Sequence, residues 1–137
     1  MGDASRRFTI VYAPVTKQHL RAIEPKYYSL IRTAVEEQLA FEPTRDTRNR
    51  KPLKRPVFFE ATWEIRFGPD NRFRVYYDVN VERRIAAVLA IGLKRGKKIV
   101  IGGLVVVLVG ALAVGVIDAA QGRSVVAQGA AQSAAQS

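Results

Sequence analysis

Two runs of alternating apolar and polar residues, joined by a turn-forming cluster, stand out along the chain. Trp63, Ile65 and Phe67 alternate with Glu64 and Arg66, while Phe73, Val75, Tyr77 and Val79 alternate with Arg74, Tyr76 and Asp78. A repeat of two is the pattern of half-buried strands, so residues 63–79 read as a β-hairpin. Directly opposed residues must share a sheet face. A loop from Gly68 to Arg72 satisfies this by setting Phe67 opposite Phe73, Ile65 opposite Val75 and Trp63 opposite Tyr77. The same register sets Arg66 opposite Arg74 on the reverse face, where two guanidinium groups repel unless an anion lies between them.

The pattern elsewhere supplies the partners of this hairpin. Phe8 to Tyr12 is β-branched and aromatic, hence a short strand, and Ala13-Pro14 ends it. Leu20 and Ile23 suit a short helix from Val15 to Ile23, after which Pro25 sits where a first helical turn tolerates it. Tyr28, Ile31, Val35 and Leu39 recur at helical spacing, so a second helix is expected up to about Phe41, its apolar stripe needing a sheet to cover it. His19, the one histidine, is expected on the solvent side of the first helix and is assigned no role. After a reversal near Val79 to Arg84, Ile85 to Ile91 is continuously apolar, as a strand buried on both faces would be. Gly92 to Lys98 reads as a cationic bend, and Lys98 to Gly102 as a short edge strand.

Ile99 to Ile117 carries no charge over 19 residues. As a helix rising about 1.5 Å per residue it would just cross a bilayer core of about 30 Å. If the first few residues belong to the sheet, what remains suits a buried or interfacial helix instead. The expected organisation is therefore a folded domain over 1–103, an apolar segment over 104–117 that is a candidate membrane or interfacial helix, and a disordered Ala/Gln/Ser tail over 118–137. Lys94, Arg95, Lys97 and Lys98 precede the apolar run, so an inserted segment would act as an inner-membrane tether holding the domain on the cytoplasmic side, with membrane contact through 99–117. Residues 1–7 lack the apolar stretch of a secretory signal, and the cytoplasm is the expected location.

Composition sharpens this picture in two ways. The absence of cysteine and the single histidine leave no disulfide framework, no thiolate chemistry and no multi-histidine metal site, so neither a metal nor another cofactor is expected. The net charge of +10 belongs to the first 103 residues, because the rest holds only Asp118 and Arg123. Such an excess points to nucleic acid, an anionic membrane or an acidic protein. Thr44 to Arg55, with Arg45, Arg48, Arg50, Lys51, Lys54 and Arg55 against Asp46, reads as a basic loop that favours a nearby polyanion.

The order of elements, together with Arg50-Lys51-Pro52-Leu53, Trp63-Glu64-Ile65-Arg66-Phe67-Gly68, Arg72-Phe73-Arg74-Val75-Tyr76-Tyr77 and Ala90-Ile91-Gly92-Leu93-Lys94-Arg95-Gly96, resembles the RelE/ParE superfamily of bacterial toxin–antitoxin toxins over about residues 7–103. The resemblance implies an α+β fold in which an N-terminal helical hairpin packs on a curved, mainly antiparallel sheet of four to five strands. It implies two candidate activities: ribosome-dependent cleavage of mRNA, as in RelE-like toxins, or inhibition of DNA gyrase by protein contact, as in ParE-like toxins. A cognate antitoxin is the implied partner of either.

Metal-free RNA cleavage proceeds by attack of a ribose 2′-hydroxyl on the adjacent phosphate, so a site must move two protons and stabilise charge on phosphorus. Arg66 and Arg74 are the candidates to fork onto phosphate oxygens, with Lys51 and Lys94 or Arg95 converging from the rim. Arg48, Arg50, Lys54, Arg55 and Lys97 are candidate RNA contacts. Tyr76, on the face of Arg74, is a candidate to stack on a base or give a proton, or else a partly buried sheet tyrosine. The chain departs from RelE-like ribonucleases in having no tyrosine or histidine in Lys97 to Gly103, where they carry an acid or base. That departure, with the apolar run, leaves open a non-toxic toxin-like domain that binds RNA or a partner while tethered to the membrane.

Overall fold

The computed structural model describes residues 6–57, 60–109 and 112–118. Strand β1 (Thr9–Tyr12) leads into helix α1 (Thr16–Arg21), a 3-10 turn over Pro25–Tyr27 and helix α2 (Tyr28–Leu39). Seven further strands follow: β2 (Arg50–Val57), β3 (Ala61–Phe67), β4 (Phe73–Asn80), β5 (Ile85–Arg95), β6 (Lys98–Ile101), β7 (Leu104–Val109) and β8 (Leu112–Asp118). They form one sheet in the order β2-β3-β4-β5-β6-β7-β8 with every neighbour antiparallel, while β1 joins β5 in parallel. The class is α+β, a helical hairpin on a mostly antiparallel sheet.

The hairpin of β3 and β4 has the register that alternation demands, with Trp63 opposite Tyr77, Ile65 opposite Val75 and Phe67 opposite Phe73. Its turn depends on left-handed backbone at Gly68, Asp70 and Asn71. At Gly68 a side chain would in addition run into the Phe73 ring, so glycine is required twice over. Ile31, Val35 and Leu39 of α2 and Ile23 after α1 bury against Ile65, Phe73, Val75, Tyr77, Val88 and Ile91, forming the main core on one sheet face. Each large side chain so buried contributes about 1.5–3 kcal/mol. Tyr77 also donates from its hydroxyl to the Pro43 carbonyl at 2.6 Å, fixing the chain that leaves α2.

Several expectations are corrected. Of the stretch Thr44 to Arg55 read as loop, Arg50 to Arg55 belongs to strand β2, because pairing with β3 gives its backbone a ladder despite Pro52. His19 is buried rather than solvent-facing: its Nδ1 accepts the Ile91 N–H at 3.2 Å, so α1 lies against β5 through its histidine. In the stretch 104–117, expected to be helical, the described residues form β7 (Leu104–Val109) and β8 (Leu112–Asp118), continuing the sheet beyond β6, which is therefore not an edge. Their β-branched content suits a strand at least as well as a helix. Among the described residues the sheet thus has eight strands where four to five were expected. Among the described residues no helix is long and apolar enough to cross a membrane. The tail from Ala119 lies outside the described residues.

The sheet curls on itself until β8 comes against β2. Because both helices pack on the Tyr77 face, the reverse face must be the inner one. A second cluster of Ala61, Tyr76, Ala90, Ile99 and Ile101, backed by Leu53 and Leu89, is buried there with no helical residue over it.

Candidate functional site

Strand register decides which of the candidate side chains share the inner face. Lys51 pairs with Glu64 and Glu64 with Tyr76, making one row across β2, β3 and β4; Arg66 pairs with Arg74 in the next row. Arg74 in turn lies opposite Gly92 of β5, so Lys94, two residues on, belongs to the same face. Arg95, paired with Lys98, belongs to the other.

The anion that Arg66 and Arg74 require is supplied by the chain itself. Arg66 Nε donates to Glu64 Oε1 at 2.6 Å, and Arg74 Nη1 lies 3.6 Å from Glu64 Oε2, so one carboxylate bridges the pair. Arg74 Nε also donates to the Asn71 carbonyl at 3.0 Å. Glu64 and Arg74 are 4% and 7% exposed, whereas the Arg66 side chain keeps 43% of its surface. Tyr76 is fully buried beside them. Burial first, and then the Glu64 carboxylate, push its phenol above the ordinary tyrosine range, partly offset by the two arginines. A phenol so placed holds its proton tightly and has no face open to a base.

The remaining candidates are dispersed. Lys51 Nζ is 3.2 Å from Asp46 Oδ1 on the surface. Arg50 points to the helical side, buried, with Nη1 donating to the Gln38 carbonyl at 2.6 Å, and is not presented to an external ligand. Arg48, Lys54 and Lys97 are exposed, and the Arg55 side chain lies outside the described residues. His19, whose burial lowers its pKa, is neutral at neutral pH.

Accessible positive charge gathers at one end of the sheet. The β3–β4 turn and the β5–β6 turn lie side by side there, pinned by the Lys94 N–H donating to the Arg72 carbonyl at 2.7 Å. Together with the chain after α1 they bound an open cleft of about 730 Å³ lined by Arg72, Lys94 and Arg95, by Glu24 and Asp70, and by the ring of Tyr27. Such a cleft can take a phosphate on its three cations, its two carboxylates limiting the net charge. Glu64, Arg72 and Tyr27 were not singled out from the sequence. Glu64 was legible in hindsight, since its place two residues before Arg66 puts it diagonal to Arg74. Arg72 and Tyr27 meet only through the fold. Among the described residues no group of three or more acidic, histidine or cysteine side chains is placed to hold a metal ion.

The architecture has a counterpart among solved structures. A chain of the toxin–antitoxin complex RelBE2 from Mycobacterium tuberculosis superposes with a TM-score of 0.52 at 20% identity, covering 64% of this chain and 99% of its own. The fold is RelE-like. No protein-family model matches the chain, and no curated protein sequence does. At that identity the likeness speaks for the arrangement of helices and strands and not for any side chain.

Proposed function

We propose that this protein is the toxin half of a type II toxin–antitoxin pair and that it represses translation by engaging mRNA on the ribosome and cleaving it. The RelE-like fold carries the reading, and the net charge of +10 agrees with an RNA target. Phosphate contacts fall to the cleft of Arg72, Lys94 and Arg95, with Lys51 and the exposed part of Arg66 as further contacts on the reverse face of the sheet, apart from the cleft. In cleavage these cations neutralise the charge that builds on phosphorus as the 2′-hydroxyl attacks and the bond to the 5′-oxygen breaks, leaving a 2′,3′-cyclic phosphate; a neutral lysine among them takes the hydroxyl proton and water protonates the departing 5′-oxygen. The partner in the resting state is a cognate antitoxin, acidic enough to meet the basic rim.

A second reading, a toxin that binds its target without cleaving RNA, such as a gyrase inhibitor, is favoured by one observation. Glu64 occupies the arginine pair and Tyr76 is buried, so three candidates for direct chemistry are engaged internally.

Primer extension on cellular mRNA after induction separates the two. New RNA ends that vanish in an Arg72→Ala, Lys94→Ala, Arg95→Ala variant, in a growth arrest relieved by co-expressing a small acidic protein encoded beside the gene, where one is found, are the expected result. Growth arrest with no new ends and with DNA damage overturns the RNA reading in favour of the second.

A further inference from the structure

We propose that the recess between the end of α1 and strands β5 to β7 is the anchor site for an acidic protein segment, taking one aliphatic side chain of that segment on its floor and the neighbouring carboxylates on Arg95 and Lys98. That the segment belongs to an antitoxin rests on the reading above; the recess and the chemistry of its occupant do not.

Strand register builds the recess. Leu93 of β5 lies opposite Val100 of β6, and Val100 opposite Val105 of β7, so three aliphatic side chains make one row on the side of the sheet that the helices cover. Arg95 and Lys98 form the next row on the same side. The β6–β7 turn is Gly102-Gly103, which contributes no side chain. With Ala22 and Ile23, just after α1, as its wall, the result is a cavity of about 290 Å³. That lies at the lower limit of ligand pockets, with room for a side chain rather than for a whole helix or strand. Val105 falls beyond residues 7–103, which carry the RelE/ParE resemblance, so the recess is a feature of this chain.

The lining decides the occupant. Arg95 and Lys98 are like charges directly opposite one another, a destabilising arrangement, and among the described residues neither has an ion-pair partner. At Arg66 and Arg74 the same repulsion is answered by Glu64, but no carboxylate lines the recess. Both cations are exposed and screened by water, so they gain most from an anion that arrives with apolar surface and excludes that water. A phosphodiester brings no aliphatic group. The ring that lines the recess, His19, is 5% exposed and held against the Ile91 N–H, too buried to offer a base a stacking face. A leucine, isoleucine or valine flanked by aspartate or glutamate answers both demands. Arg95 also lines the phosphate cleft, so a segment seated in the recess takes Arg95 from a polyanion there, and each ligand weakens the other.

Two blocked, fluorescein-labelled pentapeptides test the site on the full chain: one leucine between two pairs of glutamates, and the same peptide with serine in place of the leucine. By fluorescence anisotropy the leucine peptide should bind about tenfold tighter, and the preference should fall below about twofold in Val100→Phe, which fills the recess. Equal binding of the two peptides by the wild type overturns the aliphatic anchor. Near-UV circular dichroism from Trp63, stacked on Tyr77 in the main core, reports whether Val100→Phe keeps that core. A preference undiminished in the folded variant puts the leucine elsewhere and overturns the site. Should Val100→Phe fail to fold, intermolecular NOEs between the leucine methyls and those of Val100 or Val105 in the wild type decide, and their absence from the bound peptide overturns the site. A single-stranded oligouridylate should bind about fivefold more weakly when the leucine peptide is saturating, and an unchanged affinity overturns the sharing of Arg95. An oligouridylate weakened tenfold by Val100→Phe itself, at about the level of the peptide, overturns the protein segment as occupant in favour of nucleic acid. The leucine preference without any oligouridylate binding supports the recess and overturns only the RNA reading.

Discussion

Arg66 and Arg74 stand opposite one another on β3 and β4, and the Glu64 carboxylate bridges them, 2.6 Å from one guanidinium and 3.6 Å from the other. The pair and Glu64 form an internal three-charge cluster, not an empty cradle. An external phosphate competes for Arg74 only by displacing a carboxylate that the neighbouring strand holds in place.

Removing the charge of Glu64 while keeping its shape should therefore be costly. Glu64→Gln leaves Arg74 buried without a counter-ion, and breaking a buried pair in this way costs about 3–5 kcal/mol. The lower end is expected because Arg66 can turn to solvent. Urea unfolding gives the value, and sulfate should recover part of the loss by standing in for the carboxylate. A change below about 0.5 kcal/mol would show that the bridge contributes nothing.

Trp63 and Arg66, three residues apart on one strand, should separate packing from charge. Trp63 stacks on Tyr77 at 6.2 Å between ring centroids but is only partly buried, so Trp63→Ala should cost about 3 kcal/mol, the lower part of the usual range. Arg66→Ala should cost about 1 kcal/mol or less, because a side chain 43% exposed gains little from its carboxylate in water. Thermal melts of the two variants make the comparison, and equal losses would contradict the division of the hairpin into a packing face and a charged face.

His19 should give stability a pH dependence of definite sign. Its folded pKa is lowered by burial, so the unfolded chain binds the proton more readily than the native one. Stability is then fully present above the unfolded value of about 6.5 and is lost as pH falls below it towards the folded pKa. His19→Asn keeps an acceptor for the Ile91 N–H but cannot titrate, and should flatten the profile as pH falls below about 6.5 in urea titrations. An unchanged slope in the variant would place the pH dependence elsewhere.

Much of this protein was legible in its residue pattern. The alternation around Gly68 to Arg72 determined the β3–β4 register to the residue, because a shift by one would turn Phe73, Val75 and Tyr77 from the core to the reverse face. The stripe of Ile31, Val35 and Leu39 determined which side of α2 meets the sheet. Alternation also assigned Arg66, Arg74 and Tyr76 to a common face.

What covers that face is a different kind of fact, and tertiary structure alone decided it. Residue periodicity says which side chains point together, but it is silent on how far a sheet curls, which depends on twist accumulated over many strands. Here the curl carries β8 back to β2 and turns the Arg66 and Arg74 face inward. For the same reason His19, which helical spacing alone left on the solvent side of α1, lies buried against Ile91, 72 residues away in sequence. The arginine pair was visible in the sequence; that its anion is Glu64, and that the pair faces into the sheet, followed only from long-range contact.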